Sequence, residues 1–113
     1  MNGRGEEAEA QAAAYLEAHG LRLVTRNYRC RYGEVDLVMR DGGTLVFVEV
    51  RRRSSTTFGG AAASITAAKR GKLISAARHY LAGRTVLPPC RFDAVLIEGE
   101  PARVTWIRNA FDD

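Results

Sequence analysis

Glu49 is the residue of this 113-residue chain that most needs a chemical explanation. It stands in Leu45-Val46-Phe47-Val48-Glu49-Val50, a run whose composition predicts a largely buried strand. A lone ionised carboxylate is costly to bury unless it is paired or coordinates a metal. On this strand alone the simplest partner is an arginine, and Arg51, two residues on, shares the face of Glu49. The preceding run, Glu34-Val35-Asp36-Leu37-Val38, changes the reading. Strict alternation groups Glu34 with Asp36 on one face and Val35 with Leu37 on the other. If the two runs pair as a hairpin, Asp36 and Glu49 meet on one side of the sheet. Two such carboxylates repel, raising one pKa, unless a cation lies between them. Hard oxygen donors of this kind suit Mg²⁺ or Mn²⁺.

A third carboxylate comes from the first helix. At 100° per residue Glu9 lies about 20° from Leu16 and about 60° from Ala12, at the edge of the buried stripe, whereas Glu6 and Glu7 point outward. A first-turn Glu also complements the helix dipole, which is the competing explanation. Three carboxylates around a divalent ion suit phosphodiester cleavage, because the ion acidifies a bound water and polarises the phosphoryl group. Arg51 would stand beside the scissile phosphate and stabilise its extra charge.

The elements that must position these residues follow in the order α-β-β-β-α-β-β. Glu6 to Ala18 reads as a helix, with Ala8, Ala12, Tyr15 and Leu16 inward and Gly20 as its stop. Leu21 to Tyr28 is a strand. Val35 to Arg40 and Thr44 to Arg51 flank the turn Asp41-Gly42-Gly43 as a hairpin. Ser54 to Gly60 reads as a polar loop, and Thr66 to Ala82 as the second helix, with Ala68, Leu73, Ala76, Ala77, Tyr80 and Leu81 on its buried face. After Pro88-Pro89, Arg91 to Ile97 is a fourth strand and Val104 to Ile107 a fifth. The expected class is α/β: a mixed central sheet flanked by helices, in a single domain spanning 1–113.

Charge supplies a second clue. The net charge is +4, yet Val50 to Phe92 holds nine basic residues and no Asp or Glu, leaving the rest of the chain at −5. A basic block of this kind suits a phosphate backbone, with a solvated arginine-rich surface as the alternative. Lys69 and Lys72, three apart on the second helix, share one face and are candidates for phosphate contact or for plain exposure. Tyr28, Tyr32, Phe58 and Trp106 can stack on bases or fill the core. Asp93, in Arg91-Phe92-Asp93, reads as structural, satisfying an arginine. Cys30 and Cys90 lack metal-type spacing and read as buried free thiols. His19 and His79 fall near helix ends as surface or capping residues. No apolar run is long enough to cross a bilayer, and none follows a basic start as in a secretory signal. The expected location is the cytoplasm, with no membrane partner.

Asp36 followed by Glu49-Val50-Arg51 resembles the D…(D/E)-x-K site of restriction-endonuclease-like nucleases. The match extends through Gly5-Glu6-Glu7-Ala8-Glu9, Tyr15-Leu16, Gly33 to Val38, Phe47 to Arg53, Phe58-Gly59-Gly60, Lys69…Lys72-Leu73, Arg91-Phe92-Asp93 and Asn109-Ala110-Phe111. Over nearly its whole length the chain resembles the YraN-type family of small uncharacterised bacterial proteins, which is similar to archaeal Holliday-junction resolvases. The resemblance implies a restriction-endonuclease-like α-β-β-β-α-β core and a nucleic-acid-binding, metal-dependent endonuclease acting on DNA, branched DNA included. It makes Glu9, Asp36, Glu49 and the Val50 carbonyl the ligands of Mg²⁺ or Mn²⁺. Arg51 takes the place of the catalytic Lys, and Arg51, Arg53, Lys69, Arg70 and Lys72 are the nucleic-acid contacts. Arg is always charged, so Arg51 can stabilise a transition state but is a poor base. A homodimer, as in the resolvases, is among the assemblies implied. The alternative is a non-catalytic nucleic-acid- or protein-binding module in which Glu49 and Arg51 form a structural ion pair.

Overall fold

The structure, a computed structural model, describes residues 3–53 and 65–111. The expected loop from Ser54 to Gly60 and the Phe58-Gly59-Gly60 motif lie outside these residues. Helix α1 (Gly3–Ala18) starts three residues earlier than its apolar stripe requires, taking in Gly3, Arg4 and Gly5. It closes on Gly20 at φ 97°, where the N–H of Leu21 reaches back to the Leu16 carbonyl at 3.1 Å. His19 Nδ1 bonds the Tyr15 carbonyl at 2.8 Å, the capping role its position suggested.

Five strands follow: β1 (Arg22–Cys30), β2 (Gly33–Asp41), β3 (Thr44–Arg53), then, beyond helix α2 (Ala67–Leu81), β4 (Cys90–Glu98) and β5 (Arg103–Phe111). They form one mixed sheet in the order β1-β2-β3-β4-β5. All pairs are antiparallel except β3 and β4, whose parallel pairing needs the long return in which α2 lies. The hairpin expected between β2 and β3 turns on Gly42-Gly43, with Gly42 at φ 62°. Thr66 caps α2, accepting from the Lys69 N–H at 3.2 Å.

The helices cover opposite faces. On one side α1 buries Ala8, Ala12 and Leu16 against Leu37, Met39, Val46, Val48, Val50 and Val95. On the other, α2 buries Leu73, Ala76 and Ala77 against Val35, Val38, Leu45 and Phe47. Ala68, expected to be inward, is exposed because it precedes the point where α2 meets the sheet. Cys90 is exposed rather than buried: it opens β4 directly after Pro88-Pro89. Strand β5 is more than twice its expected length.

Strict alternation fails in β2. Val35 and Leu37, expected to share a face, enter opposite cores, and Val35 joins Val38 on the α2 side. The cause lies across the ladder. Arg26 pairs with Leu37 and Tyr28 with Val35, so Asp36 faces Asn27, whose φ of 51° flips the local pleat. The ladder between β2 and β3 ends at Leu37 and Val48, one step before Asp36 and Glu49. The two acidic residues therefore occupy the mouth where these strands part.

Candidate acidic site at the parting of two strands

Where β3 loses β2 as a partner, the Val50 N–H needs another acceptor. Asp36 supplies it: Oδ2 accepts from Val50 N at 2.8 Å. In an extended strand the N–H and C=O of one residue face the same edge, so the Val50 carbonyl also turns toward β2. Asp36 is 9% exposed and Glu49 6%, and their carboxyl groups hydrogen-bond to each other. Burial raises the pKa of both. For Glu49 the negative charge of Asp36 adds to burial, and its pKa rises to about 8 against the opposing pull of Arg51 and Lys69. At neutral pH the pair thus holds a shared proton. Arg51 forms an ion pair with Glu49, while its buried Nε finds no hydrogen-bond acceptor among the described residues.

Glu9 reaches the same mouth from α1. It is half-buried, hydrogen-bonds the Asn27 side chain, and its pKa is raised first by burial and then by the Asp36 charge. Two clefts meet at this point. One, about 650 Å³, lies on the α1 side and is lined by Glu6, Glu9, Asn27, Asp36, Val50 and Arg52 among others. The other, about 560 Å³, lies on the α2 side and includes Gly33, Glu49, Lys69 and Lys72. Arg29, Glu34 and Arg51 border both. The acidic pair stands between a cleft of mixed charge and a basic one.

Glu9, Asp36, Glu49, Val50, Arg51, Lys69 and Lys72 are thus brought together. Arg53, exposed at the end of β3, lines neither cleft. Arg70 turns toward Ile65, Leu96 and Ile107 in a different hollow, since one step along a helix rotates a side chain by about 100° away from Lys69. Two residues escaped the sequence reading. Asn27 both re-aims Asp36 and holds Glu9, and its signal was a residue tolerant of left-handed backbone inside a strand. Gly33 is the second, and it stands at the foot of the β1–β2 turn, paired with Cys30. A Cβ there would meet the Lys72 carbonyl at 2.7 Å, so its absence lets α2 carry Lys69 and Lys72 up to Glu49.

The donor chemistry fits a hard divalent cation. Two buried oxygen acids in contact, one kept protonated by the other, are the arrangement that a cation relieves. Among the described residues no set of three His, Cys, Asp or Glu side chains converges at ligating distance, because Glu9 is drawn to Asn27 and Glu49 to Arg51.

Taken together, the fold and site define an α/β protein with a five-stranded mixed sheet, two covering helices and a buried acidic pair at the mouth of two clefts. Residues 8–97 match the model of the uncharacterised protein family UPF0102, and the chain belongs to this YraN-type family. It is 61% identical over 111 residues to a UPF0102 protein of Nitrosomonas europaea, covering 97% of this chain and 94% of the relative. It is 58% identical over 110 residues to one of Nitrosospira multiformis, covering 96% and 92%. Against one of Methylobacillus flagellatus it is 57% identical over 112 residues, covering 98% of each. Among the described residues no helix is long and apolar enough to cross a membrane.

Proposed function

We propose that this protein binds nucleic acid through the basic cleft and hydrolyses phosphodiester bonds at the Asp36–Glu49 pair with Mg²⁺ or Mn²⁺, as a restriction-endonuclease-like domain spanning the chain. The observation that carries the reading is the buried pair itself: two carboxylates left to each other at a strand parting, beside Arg51, Lys69 and Lys72. Asp36, Glu49 and the Val50 carbonyl would hold the ion, with Glu9 adding negative charge from the α1 side. When bound, the ion supplies an acidified water and a polarised phosphoryl oxygen.

The chain's own residues do the remaining work. Lys69 and Lys72 draw the phosphate backbone into the α2-side cleft. Arg51, partly exposed where the two clefts meet, donates from its guanidinium to a phosphate oxygen and stabilises the charge that builds there. It does not take a proton. The proton shared by Asp36 and Glu49 must leave before both can act as ligands, so the site works better above neutrality than below it.

Calorimetry with Mn²⁺ tests the site, together with cleavage assays on duplex, single-stranded and four-way-junction DNA. Mn²⁺ binding that Asp36→Ala abolishes and cleavage that Glu49→Ala abolishes are expected. Cleavage unchanged in Glu49→Ala excludes this site. The Glu49–Arg51 ion pair favours a second reading, a non-catalytic binding module that keeps this pair for structure. In that case neither variant alters metal binding. With about six phosphate contacts, DNA affinity should fall roughly 10³-fold from low to moderate salt. A flat profile points instead to a protein partner.

A further inference from the structure

The β1–β2 hairpin ends in a two-residue loop, Arg31-Tyr32, between the paired Cys30 and Gly33. Tyr32 is 46% exposed at this tip. Its ring does not lie loose on the surface. The Arg31 guanidinium sits 5.0 Å from the ring centroid and donates to the Tyr32 hydroxyl at 2.8 Å. The His79 ring of α2 lies 5.7 Å away. His79 is itself held by the Tyr28 hydroxyl, and Tyr28 packs edge-on against Tyr80 at 5.1 Å. Four rings and a guanidinium plane thus form one connected group behind the tip.

Its position matters as much as its composition. Gly33, the residue after Tyr32, lines the basic cleft with Glu49 and packs against Lys72. Lys72 and His79 lie two turns apart on α2, so they fall along nearly the same helical line. The cleft that opens at the acidic pair reaches Cys30 and Gly33, the two residues that flank the tip, and Arg31, Tyr32 and His79 lie beyond its lining. Arg84, over the Tyr80 ring at 5.4 Å, adds positive charge at the outer end.

We propose that the Arg31–Tyr32 tip, backed by His79, is a stacking platform for an unpaired nucleobase of the strand whose phosphates enter the basic cleft. The proposal rests on the nucleic-acid reading above and gives it a substrate class: DNA with a single-stranded or splayed segment next to the site. A stacking platform needs the face of a base, which a continuous duplex withholds. Guanidinium and aromatic planes accept any base, so the preference is for unpaired structure and not for sequence.

Fluorescence anisotropy without added divalent metal tests this on three probes: a duplex, a single strand, and a duplex with a single-stranded flap. Tyr32 lies on an exposed turn, so Tyr32→Ala is expected to fold normally, which thermal denaturation checks. Tyr32→Ala should weaken single-strand and flap binding by about 5- to 100-fold and duplex binding by less than about twofold. Tyr32→Phe, which keeps the ring, should retain single-strand affinity. In the wild type, a 2-aminopurine in the flap should be quenched, and Tyr32→Ala should remove that quenching. Equal weakening on all three probes, or unchanged single-strand binding in Tyr32→Ala, overturns the platform while leaving the cleft reading intact. Wild-type protein that binds none of the probes overturns both.

Discussion

Asp36 and Asp93 are the two aspartates buried in this sheet, and their surroundings are alike in outline. Each faces an asparagine in left-handed backbone on a neighbouring strand, Asn27 at φ 51° where the β2–β3 ladder has just ended and Asn109 at φ 52° at the β4–β5 register shift. Each accepts a main-chain N–H that the irregular ladder leaves over, from Val50 and from Asn109. Beyond that they part. Asp93 also accepts from Arg91 Nε at 3.0 Å and from Trp106 Nε1 at 2.9 Å, and Arg91 continues to Asp41. With the Arg91 cation and two further N–H donors around it, its side chain is fully buried. Asp36 has an acid for its neighbour, and that neighbour's pKa climbs to about 8. The same backbone device thus carries a completed ion pair in one place and an uncompleted one in the other. The first ties β4 to β5 and, through Arg91, to Asp41 of β2, while the second is the one proposed above to take a cation.

The comparison is tested most strongly at Asp93. Asp93→Ala would leave the Arg91 guanidinium, the Trp106 N–H and the Asn109 N–H without their acceptor. A loss of about 3–5 kcal/mol in urea unfolding is expected. A loss no larger than that of a surface substitution would contradict the structural role. Asp36→Asn should do the reverse, leaving stability within about 1 kcal/mol of wild type. Its cost falls on Mn²⁺-dependent cleavage, about 10²- to 10³-fold in a single-turnover assay.

Stability against pH tests the acidic pair without any substrate. The folded-state pKa of Glu49 lies above its ordinary 4.5, so between about 4.5 and about 8 the folded protein keeps a proton that the unfolded chain has released. Stability should fall across that window, by up to about 1.4 kcal/mol per pH unit from this group, and level off above it. Glu49→Gln should flatten the profile and make the variant more stable than wild type above pH 8. An unchanged slope would show that Glu49 is ionised throughout. The smallest effect belongs to Glu9, which is only half-buried. Glu9→Gln should shift stability by less than about 0.5 kcal/mol and lower the pH midpoint of Asp36–Glu49 titration, followed by carboxyl NMR shifts.

Much of this was legible from side-chain types alone. Glu49 in an apolar run, the turn at Gly42-Gly43, the second helix beginning near Thr66 and the stop at Gly20 each rest on a local rule, and local rules act within a few residues. The faces of β2 were not legible, because alternation presumes an unbroken ladder and Asn27, on a different strand, breaks it. Nor was the role of Gly33, whose neighbour Lys72 lies 39 positions later in the chain. The residue type of Trp106 suits the core or its rim as well as base stacking, and its N–H donates to Asp93, which no local rule foretells.

The amino-acid sequence by itself determined which residues had to be explained: acids in apolar strands, a basic stretch without acids, and the elements that carry them. These follow from transfer free energies and short-range sterics, which do not depend on distant neighbours. Only the tertiary structure decided which buried acid received a cation and which received another acid. That outcome depends on strand order and on where β2 and β3 separate, and a buried charge is worth only what its partners in space make it.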